Sequence, residues 1–130
     1  MKTFNQEQTE TLVQGVKYLL TAVGDDPERT GLLETPERVI KAHAEIYAHT
    51  GETTFKDYKL FDTTDDADMV IVEDIPFYAM CEHHLLPFFG TIDVAYVPDG
   101  EVIGLSKIPR LVDWASRCLL YTSPSPRDMR

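Results

Sequence analysis

Cysteine is scarce in this chain: there are two in 130 residues, Cys81 and Cys118. That excludes a disulfide-stapled scaffold. In a reducing compartment it leaves either thiol open to metal or catalytic work. Bases are also short, with 12 Lys and Arg against 22 Asp and Glu, for a formal net charge of −10. Such a field opposes nucleic acid as a partner, and any anionic ligand needs a local basic site. No apolar run approaches the roughly 20 residues of a membrane span, so no membrane partner is expected. The start, "MKTFNQEQTE", has no signal-peptide apolar region, and a cytoplasmic location is the expectation. What is present, 43% hydrophobic residues, suffices for one domain with a core.

Periodicity predicts a helix over 6–23, where Leu12, Val16, Leu19 and Val23 recur at three and four, with Val13 and Leu20 beside them. Gly24 is placed to end it. A second helix is expected in "TPERVIKAHAEIYAHTG", with Thr35 as N-cap, Pro36 at the first position and Gly51 beyond the end; Val39, His43, Ile46 and Tyr47 share a face. "KDYKLFDTTDDAD" reads as a polar acidic connection. "MVIVEDI" (69–75) and "TIDVAYV" (91–97) read as strands, and "EVIGL" (101–105) as the returning arm of a hairpin with the latter. A third helix should start near Ser106, with Trp114 in it as a core or interface residue. Helices and strands are grouped, so the class expected is α+β with an antiparallel sheet.

The stretch "CEHHLLPFFG" carries the chemistry. Cys81 and His84 are three apart. On a strand they would face opposite ways; on a helical turn they converge. The sequence therefore predicts a turn between the two strands. A thiolate and an imidazole together suit zinc. His83, turned elsewhere, is then free to move protons, and Glu82 could contact substrate or orient a ligand. A third metal ligand is not obvious. The apolar residues Leu85, Leu86, Pro87 and Phe88 are expected to anchor the turn in the core. A plainer reading makes Cys81 a small core residue and the histidines surface residues, but C-x-x-H with a second His between argues against it.

A second constellation is "GLSKIPR" (104–110). Ser106 is placed as N-cap, with Lys107 and Arg110 on one face of the following helix. A helix N-terminus offers unpaired N–H groups and the positive dipole end to phosphate, and two bases add charge; ordinary capping with two solvated bases is the alternative reading.

These stretches, "FYAMCEHHLLPFFG", "AYVPDGEVIGLSKIPRLVD" and "DDPERTGLLETPERV", closely resemble GTP cyclohydrolase I from about residue 6 to about 119. The resemblance implies the tunnelling fold (T-fold), an antiparallel sheet with helices on one face behind N-terminal helices. It implies a decamer of two pentamers, and conversion of GTP and water to 7,8-dihydroneopterin triphosphate and formate, the first step of tetrahydrofolate synthesis. By position, Cys81 and His84 match zinc (Zn2+) ligands and His83 the catalytic histidine. Glu82 lies among the substrate-site residues, and Ser106, Lys107 and Arg110 match those holding the triphosphate.

The resemblance also implies features that this chain lacks: a second zinc-ligating cysteine far downstream and a "QxQE" guanine pocket. Cys118 does not match that ligand. Residues 1–119 are expected to be the enzyme's N-terminal part, and 120–130, "LYTSPSPRDMR", a foreign disordered tail. Such a fragment is expected to be inactive alone. Two further readings are a non-catalytic binding or assembly module of the same fold and a sibling enzyme acting on another pterin or purine.

Overall fold

In a computed structural model of the chain, residues 2–63 and 68–120 are described. They form two compact units, one within 1–48 and one within 49–130.

The first unit is a helix pair. Helix α1 (Gln6–Ala22) starts from a capping box: Asn5 accepts from the Gln8 backbone, and the Gln8 side chain accepts from Asn5 N–H. It ends where Gly24 takes φ +93°, open to glycine at no steric cost. Helix α2 (Thr35–Ile46) has Pro36 in its first turn, but Glu34, not Thr35, holds the N-cap position, without a side-chain cap bond. The covered stripes differ from those expected. In α1, Val13, Val16 and Leu20 are half-buried, whereas Leu12, Leu19 and Val23 are exposed. In α2 the buried line is Pro36, Ile40 and Ala44. The apolar face of α1 is wide, and within the unit it meets only α2.

The second unit carries the sheets. Strands β2 (Val70–Cys81) and β3 (Pro87–Tyr96) form an antiparallel ladder joined by the turn at 82–86. Ile75 of β2 is buried with Ile108 and Val112 of α3 (Lys107–Ser116); Val72, Phe77, Val94, Tyr96 and Ile103 pack around them. Gly90 lies opposite Phe77, whose ring leaves only 3.2 Å for a Cβ at that position.

The hairpin expected between 91–97 and 101–105 does not form. Strand β4 (Glu101–Ile103) pairs instead with β1 (Leu60–Asp62), in register Leu60↔Ile103 and Asp62↔Glu101. Residues 60–62, read as acidic connection, are thus strand. Leu60 and Phe61 supply β propensity that the surrounding charges mask. A short strand β5 (Leu119–Leu120) runs parallel to Met80–Cys81, so Leu120 belongs to a ladder rather than a tail; 121–130 lie outside the described residues. Helices with mainly antiparallel ladders make the class α+β. No described helix is long and apolar enough to cross a membrane.

Candidate active site

Cys81 reaches the inner face of the sheet through a bulge. Val72 pairs with Val94 and Ile75 with Ile92, so β2 spends one residue more than β3 between these pairs. The extra residue sits at Glu73–Asp74, where Asp74 takes φ +56° and its N–H donates to Asp93 Oδ1 at 2.9 Å. Before the bulge the even residues Val70 and Val72 face inward. After it the odd residues Ile75, Phe77, Ala79 and Cys81 do, and at the strand's end the even residue Met80 is buried as well. Without that one-residue slip the inward set would be the even one and Cys81 would face out. It is fully buried.

The expected turn follows directly. Leu85 N–H donates to the Cys81 carbonyl at 3.1 Å, one turn of helical backbone, and Cys81 N–H donates to Leu86 O at 2.9 Å. Leu85 closes the turn at φ +52°. Positions 81 and 84 are therefore a helical turn apart and on one side, but at different depths: the thiol is buried and His84 exposed. His83 is 55% exposed, with Nε2 3.5 Å from Glu82 Oε1, and its ring centroid is 6.3 Å from that of His84. The apolar anchor is smaller than expected. Leu85 and Leu86 are 52% and 44% exposed, and Pro87 is exposed. Only Phe88 packs inward, edge-on to Phe77 at 5.8 Å. The turn lies at the end of the β2–β3 ladder, and its leucines are exposed.

The donor chemistry of Cys81 and His84 fits zinc in kind. It falls short in number: no group of three His, Cys, Asp or Glu among the described residues could hold a metal ion. Cys118 does not complete the set. Its Sγ donates to Ala115 O at 2.9 Å, and burial pushes its pKa up.

The second constellation opens α3. Ser106 occupies the N-cap position, but its side chain makes no cap bond. Two of the N–H groups expected to await an anion are used locally: Lys107 N–H donates to Gly104 O at 2.8 Å and Ile108 N–H to Leu105 O at 3.3 Å. The positive charge is thus mainly that of the two side chains, and these share a partner that sequence reasoning missed. Lys107 Nζ lies 2.6 Å from Asp57 Oδ1, and Arg110 Nη1 2.8 Å from Asp57 Oδ2. The bond from Lys107, then that from Arg110, lowers the Asp57 pKa. The β1–β4 register brings them together. Gly104 N–H extends that ladder to Lys59 O at 3.1 Å, so the residues just before β1 lie beside those just after β4.

Beside this cluster a cavity of about 670 Å³ lies between residues 49–57 and α3, lined by His49, Glu52, Phe55, Asp57, Arg110 and Trp114 among others. Trp114 is half-buried; its Nε1 donates to Glu52 Oε2 at 2.7 Å, and His49 Nδ1 is 3.0 Å from the same oxygen. The Phe55 ring lies 5.7 Å from Trp114.

A family model described as GTP cyclohydrolase I matches residues 12–121. The chain is 55% identical over 127 residues to GTP cyclohydrolase 1 of Latilactobacillus sakei subsp. sakei (strain 23K), covering 95% of this chain and 67% of that protein. Against GTP cyclohydrolase 1 of Lactiplantibacillus plantarum identity is 55% over 114 residues, covering 87% and 59%. Against that of Enterococcus faecalis it is 51% over 113 residues, covering 86% and 61%. The chain therefore spans between 59% and 67% of the length of these curated relatives. With the C-E-H-H turn and the G-L-S-K entry to α3 both inside the matched stretch, the chain belongs to the GTP cyclohydrolase I family.

Proposed function

We propose that this chain carries part of the active site of a zinc-dependent GTP cyclohydrolase I, which turns GTP and water into 7,8-dihydroneopterin triphosphate and formate. The observation that carries the reading is the C-E-H-H turn at the buried end of β2, where a thiol and an imidazole sit one helical turn apart inside the family match. Cys81 and His84 would hold the zinc, and no group of three such donors is found among the described residues. Zinc bound there supplies Lewis-acid activation of the water that attacks C8 of the guanine.

The chain's own groups do the rest. His83, exposed beside the metal pair with the Glu82 carboxylate 3.5 Å away, gives and takes protons at the purine ring. Glu82 also contacts substrate. Lys107 and Arg110, with the Ser106 hydroxyl, hold the triphosphate through charge-assisted bonds. The wider assembly in this reading is a T-fold decamer of two pentamers in the cytoplasm. The described residues hold two zinc donors rather than three, so the 130-residue chain alone binds zinc weakly and turns over little.

Formate release from GTP with added zinc is the test, run on this chain and on an L. sakei relative at its full length. Formate from the relative only is expected. Formate from neither, with GTP still bound, would favour a non-catalytic binding module. Turnover by the 130-residue chain within tenfold of the relative would show a complete site in it.

A further inference from the structure

We propose that Asp57 is an internal counter-ion of the polyphosphate site: its carboxylate holds Lys107 and Arg110 together, and a polyphosphate chain binds by displacing it. This rests on the assignment of those two bases to the triphosphate, and it adds a residue that sets the site's affinity.

The geometry is that of a carboxylate standing in for a phosphate edge. Each Asp57 oxygen takes one base, Oδ1 from Lys107 at 2.6 Å and Oδ2 from Arg110 at 2.8 Å. A polyphosphate reaching either base finds its donors already directed at an anion. The contact is nevertheless a replaceable one. Asp57 is 55% exposed and Arg110 59%, with Lys107 more covered at 21%, and an ion pair whose carboxylate is open to water is weakly held. The segment bearing Asp57 is not part of a ladder. It is tied at Glu52, which binds Trp114, and at Lys59, whose carbonyl accepts from Gly104, with Asp57 between the two ties. A local shift of this stretch frees both bases without breaking the β1–β4 ladder. Asp57 and Arg110 also line the 670 Å³ cavity, which gives an incoming chain room beside the pair. The lowered pKa of Asp57 keeps it ionised at neutral pH, so the competition holds wherever the protein works.

The charges give the sign. Lys107, Arg110 and Asp57 sum to +1, within a chain of net charge −10. Removing the carboxylate leaves +2 facing the ligand and nothing to displace. A carboxylate that merely organised the two bases would produce the opposite sign, because its loss would let them scatter.

The experiment is calorimetric titration of the 130-residue chain with inorganic triphosphate, GTP and guanosine. The variants are Asp57→Asn, Asp57→Ala, Lys107→Ala, Arg110→Ala and the double Asp57→Asn/Lys107→Ala, each checked for an unchanged fold by amide spectra. Both Asp57 variants are expected to bind triphosphate and GTP about three- to thirtyfold tighter, the range released by two weak ion pairs that share one exposed carboxylate. Guanosine binding should not change. The gain should shrink in the Lys107→Ala background, since the two residues are coupled. Equal gains for triphosphate and GTP place the effect on the phosphate chain; a gain for GTP alone overturns the proposal. Weaker or unchanged triphosphate binding in both Asp57 variants, with Lys107→Ala and Arg110→Ala still weakened, overturns the role of Asp57 and leaves the phosphate assignment standing. Triphosphate binding indifferent to Lys107→Ala and Arg110→Ala overturns that assignment and the proposal with it. So does a failure of the wild type and both Asp57 variants to bind triphosphate.

Discussion

At the turn after β2, four consecutive residues supply every candidate group, whereas at the entry to α3 the bases meet a carboxylate 50 and 53 positions away in the chain. The first cluster is local, and it shows in the sequence as a motif. The second is made by a ladder, because the pairing of β1 with β4 carries Asp57 to Lys107. The two also differ in depth. Cys81 is fully buried, so its position depends on the packing of the sheet. Asp57 and Arg110 are more than half exposed, and what holds them is charge that salt and competing anions can replace. The turn is anchored at its buried Cys81 end, whereas the contact at the entry to α3 is held by charge near the surface.

The largest effect expected at the turn separates its two histidines. His84→Ala should lower zinc binding to background, while His83→Ala leaves it near that of the wild type, because positions 81 and 84 share one side of a helical turn. Metal titration of the two variants, made at the matching positions of a full-length relative, decides the matter. Zinc lost from the His83 variant and kept by the His84 variant would reverse the roles and remove the turn's geometry as their basis.

At the entry to α3 a smaller, ligand-selective effect is expected. Lys107→Ala or Arg110→Ala should each weaken GTP about tenfold or more and leave guanosine alone, since a charge-assisted bond contributes about 1.5–3 kcal/mol. The Lys107 variant should lose more, because its side chain is 21% exposed against 59% for Arg110. Equal losses for GTP and guanosine would mean that these bases do not read phosphate.

The sequence-based reading succeeds where the signal is local. The extents of α1 and α3, the turn at 82–86 and the α+β class follow from spacing and caps within a few residues. It fails where partners are distant. "EVIGL" alternates like a hairpin arm, but nothing in it says that its partner is Leu60–Asp62. The bulge at Asp74 is invisible in "MVIVEDI", where the strand signal ends at Ile75 just as the strand changes parity; the strand runs on to Cys81. Asp57 lies in an acidic stretch with no motif. In α1 the apolar residues are right, but which of them α2 covers depends on helix packing rather than periodicity.

The bulge gives a test of how far the buried turn depends on the sheet. Asp93→Ala removes the acceptor for Asp74 N–H and should cost about 1 kcal/mol in chemical denaturation, the usual value of one hydrogen bond. It should also let Cys81 react faster with a thiol reagent under native conditions, because the inward parity of residues 75–81 is set at this bulge. A stability loss with no change in thiol reactivity would show that the packing around Ile75 holds Cys81 inward without the bulge bond.

The smallest effect concerns acid, and it bears on the exchangeable side of the comparison. The Asp57 pKa is lowered from the ordinary 3.8, first by the Lys107 bond and then by that of Arg110. A carboxyl whose folded pKa is depressed contributes stability that is fully present above its unfolded pKa. That contribution is lost as pH falls through the folded pKa. The Lys107–Asp57–Arg110 contact should therefore be intact at neutral pH and at pH 5, and should dissolve only below 3.8. Titration of the Asp57 side-chain carbonyl carbon by NMR should show a midpoint below 3.8 in the wild type. Lys107→Ala, removing the larger cause, should move that midpoint up further than Arg110→Ala. His83 lies beside Glu82 and His84, so substituting it should leave the midpoint where it is. A midpoint indifferent to Lys107 would mean that the short contact at the α3 entry does not persist in solution, and the contrast between a packed turn and a charge-held site would lose its second half.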